Sequence, residues 1–316
     1  MPGDSCIRVV QTMSKESQHV VVVGPVFLDV VMAGLDRLPA SGEEIHGSSA
    51  SWAPGGYAIG AIAFSRMGMS THLFTEMGND ELGAVLRARL IAESVEVFSP
   101  IQVGTTNIAV ALNWNGDRGI VSYTQPFHDA SPEVGQFLDR TPALVVLSAR
   151  HPHARKICEV AHRKSLPVAL TLSWHPEFLV SRGLQQLLPF AQHLFCNVPE
   201  ALLATGQTDF RRALAILSES VNDVVVTRGA EGSIALVEGK LYEEPAVASL
   251  MVDATGAGDV FAAGYLTAKL RGLPVDEQLR VGNWAAAQAI GELGGSTGAP
   301  RWEQVESFLG MGVPRR

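Results

Sequence analysis

From His19 onward the chain alternates between short apolar blocks and longer segments of mixed character. Val20 to Val23 is wholly β-branched and closes at Gly24, which predicts a short strand buried on both faces. Similar blocks at Thr71–Thr75, Leu144–Leu147, Val168–Leu172, Leu194–Cys196 and Val224–Thr227 predict further strands. Between them, Ala58–Met67, Asp80–Ala92, Ala154–Lys164 and Phe210–Glu219 space their apolar residues as helices do. Strands alternating with helices of this length predict parallel βαβ units. The expected fold is a three-layer α/β/α core around one mainly parallel sheet.

Two stretches depart from that rhythm. Residues 30–52 and 97–123 alternate Thr, Ser, Val and Ile, with little helical period, and are punctuated by Pro39, Gly42, Gly47, Gly104 and the turn Asn115-Gly116-Asp117. They predict antiparallel hairpins inserted into the core, forming a small β lid over a site or a subunit contact; a plain extension of the sheet edge is the simpler alternative. Residues 1–18 are polar and mixed in charge and read as a loose extension ahead of one domain over 19–316.

Composition then narrows the function classes. The 316 residues are 47% hydrophobic and 18% charged, which excludes a disordered chain. Lys and Arg number 24 against 32 Asp and Glu, a net charge of −8 with no basic block, so nucleic acid and anionic membranes have no electrostatic footprint to meet. No stretch approaches the roughly 18 to 20 apolar residues of a membrane span, and residues 1–18 lack the apolar core of a signal peptide. Cys6, Cys158 and Cys196 make neither a disulfide framework nor a CxxC zinc pair, so a soluble cytoplasmic protein is expected.

The chemistry concentrates in Asp253-Ala254-Thr255-Gly256-Ala257-Gly258-Asp259, which runs straight into the alanine-rich segment Val260–Leu270. A small-residue turn that opens a helix points unpaired N–H groups and the positive dipole end at an anion, here a phosphate. A fixed carboxylate at Asp259 would repel a resting polyanion and makes sense as a base. It would accept the proton of an attacking hydroxyl while the amides of Gly256, Ala257 and Gly258 stabilise the phosphoryl group in flight. The bland alternative is an ordinary helix start capped by Asp253 or Thr255, with Asp259 as a favourable first-turn carboxylate. A Walker-type loop and a His-Arg-Asp catalytic loop are both absent, and Phe261 occupies the third glycine slot of a dinucleotide fingerprint.

Asp253–Asp259 resembles the C-terminal signature of the ribokinase-like sugar kinases, the PfkB carbohydrate kinase family. Four more motifs agree in order and spacing. Pro54-Gly55-Gly56-Tyr57-Ala58-Ile59-Gly60-Ala61 with Arg66-Met67-Gly68 is similar to the family's N-terminal glycine motif, and Gly78-Asn79-Asp80-Glu81-Leu82-Gly83 to its Gly-x-Asp-x-x-Gly. Asn197-Val198-Pro199-Glu200 resembles the Asn-x-x-Glu motif, and Thr227-Arg228-Gly229-Ala230-Glu231-Gly232 the Thr-x-Gly-x-x-Gly loop. The resemblance runs from about His19 to the C-terminus.

It implies an ATP-dependent kinase acting on a hydroxymethyl group of a sugar-like molecule, with Asp259 as base and Gly256, Ala257 and Gly258 as anion hole. Asn197 and Glu200 would help place Mg²⁺ and the phosphates through water, although the same pair also reads as a cap-plus-carboxylate helix start. Thr227, Gly229 and Gly232 would lie against the nucleotide and Asn283 near the purine. Asp29 and the Gly55-Gly56 pair would face the substrate. Asp253 and Thr255, with the backbone around Ala289, Gly294 and Gly298, match the place of a K⁺ ion, and the lid would join a homodimer.

The departures from the family fall on the substrate side. Phe27 and Gly60 stand where related kinases commonly place asparagines, so two hydroxyl partners are missing, each worth roughly 0.5 to 1.5 kcal/mol. A modified sugar, a nucleoside, or a substrate with an extra group over Gly60 is the expectation. A nucleoside kinase on the same scaffold is one alternative, and a catalytically retired sugar or nucleotide sensor another. His151 and His153 lack a companion Asp, Glu or Cys and are not expected to hold a metal, a place at the pocket rim being the alternative; Trp174-His175 reads first as a half-buried aromatic loop, with a reach to ligand as its alternative. Trp52 and Phe127 are assigned to the lid and Cys158 to the core.

Overall fold

The computed structural model describes residues 19–99, 102–115, 117–126, 128–129 and 131–310. The expected extension 1–18, Gly116 of the proposed turn, and Phe127 lie outside the described residues. Along the chain the strands are β1 (His19–Val23), β2 (Val26–Leu35), β3 (Ser49–Gly56), β4 (Ser70–Phe74), β5 (Met77–Gly78), β6 (Val95–Phe98), β7 (Gln102–Val103), β8 (Ile108–Trp114), β9 (Asp117–Tyr123), β10 (Leu144–Ser148), β11 (Val168–Thr171), β12 (His193–Asn197), β13 (Asp223–Thr227), β14 (Ser233–Val237) and β15 (Lys240–Glu244). The helices are α1 (Tyr57–Arg66), α2 (Glu81–Ala92), α3 (Ser131–Phe137), α4 (Ala154–Arg163), α5 (Pro176–Leu179), α6 (Arg182–Leu187), α7 (Val198–Thr205), α8 (Phe210–Ser218), α9 (Ala257–Leu270), α10 (Val275–Ala289) and α11 (Trp302–Leu309).

Nine strands form the main sheet in the order β15-β14-β13-β12-β11-β10-β1-β4-β6. Seven of them, β6 through β13 in that order, run parallel, and β14 and β15 close one edge as an antiparallel hairpin. The continuous apolar blocks have their explanation here. Val20 and Val22 enter one core with α1, α2, α9, α10 and α11, while Val21 and Val23 enter the other with α3 through α8. A strand covered on both faces has no polar side to show.

The lid is a separate four-stranded sheet, β3-β2-β8-β9. Its β2–β3 and β8–β9 pairs are antiparallel, as expected, but β2 and β8 join the two halves in parallel. Its limits also differ from 30–52 and 97–123. β2 begins at Val26 and β3 ends at Gly56, whereas Val97 and Phe98 belong to β6, the edge of the main sheet, paired with Leu73 and Phe74. Alternation marks a strand but not the sheet it joins, and that choice is made by partners distant in sequence.

The lid is rooted firmly. Asp80 caps α2 through Gly83 N–H at 2.8 Å and also accepts from Thr106, from its amide at 2.9 Å and from its hydroxyl. The next residue, Asn107, donates from Nδ2 to the Val26 carbonyl at 3.0 Å and accepts from Gln125 N–H at 2.8 Å. A Cβ at Gly83 would lie 2.0 Å from the Gly78 carbonyl oxygen, so the Gly-x-Asp-x-x-Gly segment is built to hold this root.

Candidate active site

The parallel strands deliver their C-terminal ends to one edge of the sheet, where open α/β folds hold their ligands. There the segment 253–256 leads into α9. Gly256 is left-handed at φ 71°, and a Cβ on it would lie 2.7 Å from Ile59 Cδ1, so glycine is required for the chain to turn so close to α1. No side chain caps α9, and the Ala257 amide has only a long 3.4 Å turn bond to the Ala254 carbonyl. The alternative of a cap by Asp253 or Thr255 is not realised. Asp253 Oδ1 instead accepts from Thr255 N–H at 3.0 Å and from its hydroxyl at 2.7 Å, and Oδ2 accepts from Gly294 N–H at 3.1 Å. Asp253 thus folds the loop and ties it to the glycine-rich segment 294–298, leaving the helix N-terminus as a ready anion site.

Asp259 is the third residue of α9 and partly buried. Burial pushes its carboxyl up to about 7, and the neighbouring charge of Glu200 adds to the shift. Asp29, on β2 and 9% exposed, is likewise raised to about 7, by burial first and then by the negative charges of Asp253 and Asp259, against an opposing pull from Arg118. Three elements far apart in sequence therefore bring carboxylates into one electrostatic neighbourhood.

Beside α9 lies a cavity of about 580 Å³. Thr227, Gly229, Gly232 and Asn283 line it together with Ala257 and Gly258, so four of the residues expected at the nucleotide and two of those expected at the anion hole share one space, while Asn197 is not among its lining residues. Asn283 faces it with its amide already engaged, since Nδ2 donates to the carbonyls of Glu244 and Pro245 at 3.2 and 3.0 Å. Asn197 and Glu200 stand at the junction of β12 and α7 as a reciprocal capping box. Asn197 Oδ1 accepts from Glu200 N–H, and Glu200 Oε2 from Asn197 N–H, each at 2.9 Å. Glu200 is thus held in the cap, and its charge adds to the upward shift of Asp259.

On the lid side the glycine pair has a different immediate task from the expected approach of backbone to substrate. A Cβ at Gly55 would lie 2.0 Å from Asp29 Cγ, so Gly55 makes room for the carboxylate. Gly56, at φ 60°, has the Pro25 carbonyl oxygen 2.5 Å and Phe27 Cδ2 2.9 Å from the position of a Cβ. At Gly60 a Cβ would meet nothing within 4 Å.

Sequence reasoning gave no role to two arginines. Arg66 of α1 donates from Nη1 to the carbonyls of Ser296, Thr297 and Ala299, each at 2.9 Å, while pairing with Glu93, and so gathers the loop behind the anion hole. Arg118 of β9 donates to Thr255 Oγ1 at 2.8 Å from across the cleft. The RMG motif had flagged Arg66; nothing in the sequence told which face of β9 Arg118 would take. Other candidates fall outside the site's chemistry. His151 Nδ1 accepts from His153 N–H at 3.2 Å and burial holds its imidazole down near 4, His175 caps α5, and no group of three or more metal-ligating side chains occurs among the described residues. Trp174 and Trp52 are exposed, and Cys158 and Cys196 are buried. No helix among the described residues is long and apolar enough to cross a membrane.

Known proteins share both the sequence and the fold. A ribokinase of Bacillus subtilis is 26% identical over 92% of this chain and 99% of its own length, and a cytidine kinase of Thermococcus kodakarensis is 27% identical over 76% of this chain and 89% of its own. The structure of Arabidopsis thaliana ribokinase complexed with ribose and ATP superimposes with a TM-score of 0.76 at 22% identity, covering 93% of this chain and 99% of that one. The profile of the pfkB family carbohydrate kinases matches residues 17–302, and the chain belongs to that family.

Proposed function

We propose that this kinase transfers the γ-phosphoryl group of ATP to a hydroxymethyl group of a sugar or nucleoside. The observation that carries the reading is the uncapped start of α9, where Asp259 lies within one turn of the Gly256–Gly258 amides and beside the 580 Å³ cavity. Asp29 orients the acceptor from the lid. As the acceptor oxygen bonds to the γ-phosphorus, Asp259 takes its proton, the bond from phosphorus to the bridging oxygen breaks, and ADP leaves. The three amides stabilise the charge on the equatorial oxygens during transfer. A carboxyl near 7 is matched to accept a proton at neutral pH.

The nucleotide lies along Thr227, Gly229, Gly232 and Asn283. Mg²⁺, when bound, neutralises phosphate charge; with Asn197 Oδ1 and Glu200 Oε2 engaged in the capping box, the pair suits an ion that keeps its own water shell. Asp253, Thr255 and the carbonyls around Ala289, Gly294 and Gly298 are the oxygen-rich ring we assign to K⁺. A Cβ on Gly298 would lie 3.0 Å from the Ala289 carbonyl oxygen, so these segments converge.

Two features favour an acceptor larger than a plain pentose: the open space over Gly60 and the kinship with a cytidine kinase. Measuring ADP release from ATP and Mg²⁺ over sugars and nucleosides tests the reading, and a full panel without turnover would sink it.

The outer lid face is assigned to a second copy of the chain. Register places Trp52, Val30, Val110 and Val121 in one row across the sheet, with Trp52 49% and Val121 72% exposed. An apolar row of that width is characteristic of an interface. Val121→Glu should convert a dimer to a monomer in sedimentation; a monomeric parent protein would refute the assignment.

A further inference from the structure

Arg118 stands on β9, the edge strand of the lid. Asp29, Ala109 and Ser122 are cross-strand neighbours and share one face of the lid; with a side-chain period of two, Ile120 and Arg118 share it as well. This is the face turned towards the site. From it the guanidinium reaches the floor, where Nη1 donates to Thr255 Oγ1 at 2.8 Å and lies 3.7 Å from Asp253 Oδ1, a side chain only 1% exposed.

Those two contacts fall on the hinge of the anion hole. Thr255 immediately precedes Gly256, and Asp253 Oδ1 is the acceptor that folds the loop through both the amide and the hydroxyl of Thr255. The Asp253 side chain is enclosed, so its oxygens depend on the partners the fold supplies. Arg118 adds a positive charge to the two N–H donors and the hydroxyl already there. The lid's other end is anchored at Thr106 and Asn107, so Arg118 is where its free edge meets the catalytic floor.

We infer that Arg118 is a positioning residue, which acts through Thr255 and Asp253 to hold the anion hole in its transferring geometry whenever the lid covers the acceptor. The inference rests on the reading of Gly256–Gly258 as the anion hole. Lid placement and hole formation are then a single event, and the phosphoryl group is stabilised only when an acceptor is enclosed. The acceptor itself is recognised elsewhere, by Asp29.

Hydrogen exchange on the full chain with ADP and Mg²⁺ bound tests the coupling without knowledge of the acceptor. In Arg118→Met, the amides of residues 254–258 should exchange about threefold faster or more, with the main-sheet amides unmoved. Unchanged exchange at 254–258 overturns the inference. Arg118→Gln serves the same comparison if the methionine variant does not fold. Kinetics with ATP and D-ribose, D-fructose or cytidine give the second readout. Arg118→Met and Thr255→Val should each lower kcat about tenfold while the acceptor KM moves less than about twofold. The double variant should be no slower than the worse single one, and Thr255→Ser should restore the rate. A raised acceptor KM at unchanged kcat would place Arg118 on the acceptor instead, and independent losses in the double variant would break the link to Thr255. Asp259→Asn, assayed in parallel, reports on the proposed reaction itself: an active Asn variant would put the base elsewhere while the exchange data still judge the contact.

Discussion

The catalytic floor and the lid above it hold the same reaction in place by different means. On the floor, the groups we assign to the phosphates come from one contiguous stretch, Gly256–Asp259, and what matters there is mostly backbone: a left-handed glycine, a helix start without a side-chain cap and a helix dipole. On the lid, Asp29 and Arg118 come from strands some ninety residues apart and are brought to one face only by the register of β2, β8 and β9. Floor chemistry is local and leaves a signature in the sequence. Lid chemistry is made of side chains gathered from distant strands. Phe27 and Gly60, the two departures from the family's pattern, are both assigned to the acceptor side in our proposal.

The comparison breaks first at Asp259. Asp259→Asn should cost about 10² to 10⁴ in kcat, with ATP affinity unchanged or slightly improved, because it removes the base and a negative charge near the phosphates. In the parent protein kcat/KM should rise with pH up to about 7 and then level, since the base must be ionised. Stability should run the other way. The folded state holds the proton on Asp259 up to about 7, whereas the unfolded chain loses it near the ordinary 3.8, so the folded state binds more protons and stability falls as pH rises between those values. Melting curves of Asp259→Asn should lack this part of the decline. Turnover within a few-fold of the parent would put the base elsewhere.

Gly256→Ala probes the floor's backbone with no change of charge. The left-handed conformation costs a non-glycine residue about 1 to 2 kcal/mol, and the added Cβ would also stand 2.7 Å from Ile59 Cδ1. A loss of about ten- to a hundredfold in kcat and a few degrees in Tm is expected. Parent-like kcat in a folded variant would show that the amides tolerate a different turn and that the floor is less exacting than its geometry implies.

The division between floor and lid also explains what could be read in advance. The strands at Val20–Val23 and Val224–Thr227 were legible because burial on both faces leaves an unbroken apolar run, and the cavity-lining Thr227, Gly229 and Gly232 stand out because they share one short contiguous motif. Val97 and Phe98 fall in the expected lid segment yet belong to β6, since their partners Leu73 and Phe74 lie more than twenty residues away and alternation alone does not name them. The parallel β2–β8 seam was hidden for the same reason. Arg118 carried no local mark, and its role depends on which face of an edge strand it occupies. The hydrogen bonds of Asn283 to Glu244 and Pro245 were equally out of reach, as they follow from how α10 packs against β15.

Gly55→Ala asks whether damage to the lid stays on the acceptor. Its Cβ would fall 2.0 Å from Asp29 Cγ, so the carboxylate must move while the nucleotide cavity is untouched. The acceptor KM should rise about tenfold, the loss of one charged hydrogen-bond partner, with the KM for ATP held within about twofold. Equal rises in both constants would mean that Asp29 organises the whole cleft, and the contrast between floor and lid would lose its basis.

The smallest effect is expected at Gly60, and it bears on specificity. Beyond the backbone of its own helix and its two chain neighbours, nothing lies within 4 Å of where its Cβ would be, so an asparagine there enters open space without straining the fold. The amide it brings is the kind of group that hydroxyl-reading kinases of this family use, and one neutral hydrogen bond is worth roughly 0.5 to 1.5 kcal/mol, about two- to tenfold in efficiency. Gly60→Asn should therefore improve kcat/KM for D-ribose or D-fructose by that factor and impair any acceptor whose extra group occupies the space, such as a nucleoside. Phe27 remains beside Gly56 in the variant, so the pocket regains one of its two missing partners and the shift should stay partial. The decisive quantity is the ratio of efficiencies for cytidine and ribose in the two proteins, measured alongside melting curves. An unchanged ratio in a folded variant would show that position 60 does not face the acceptor, and that the lid selects its substrate through Asp29 and shape alone.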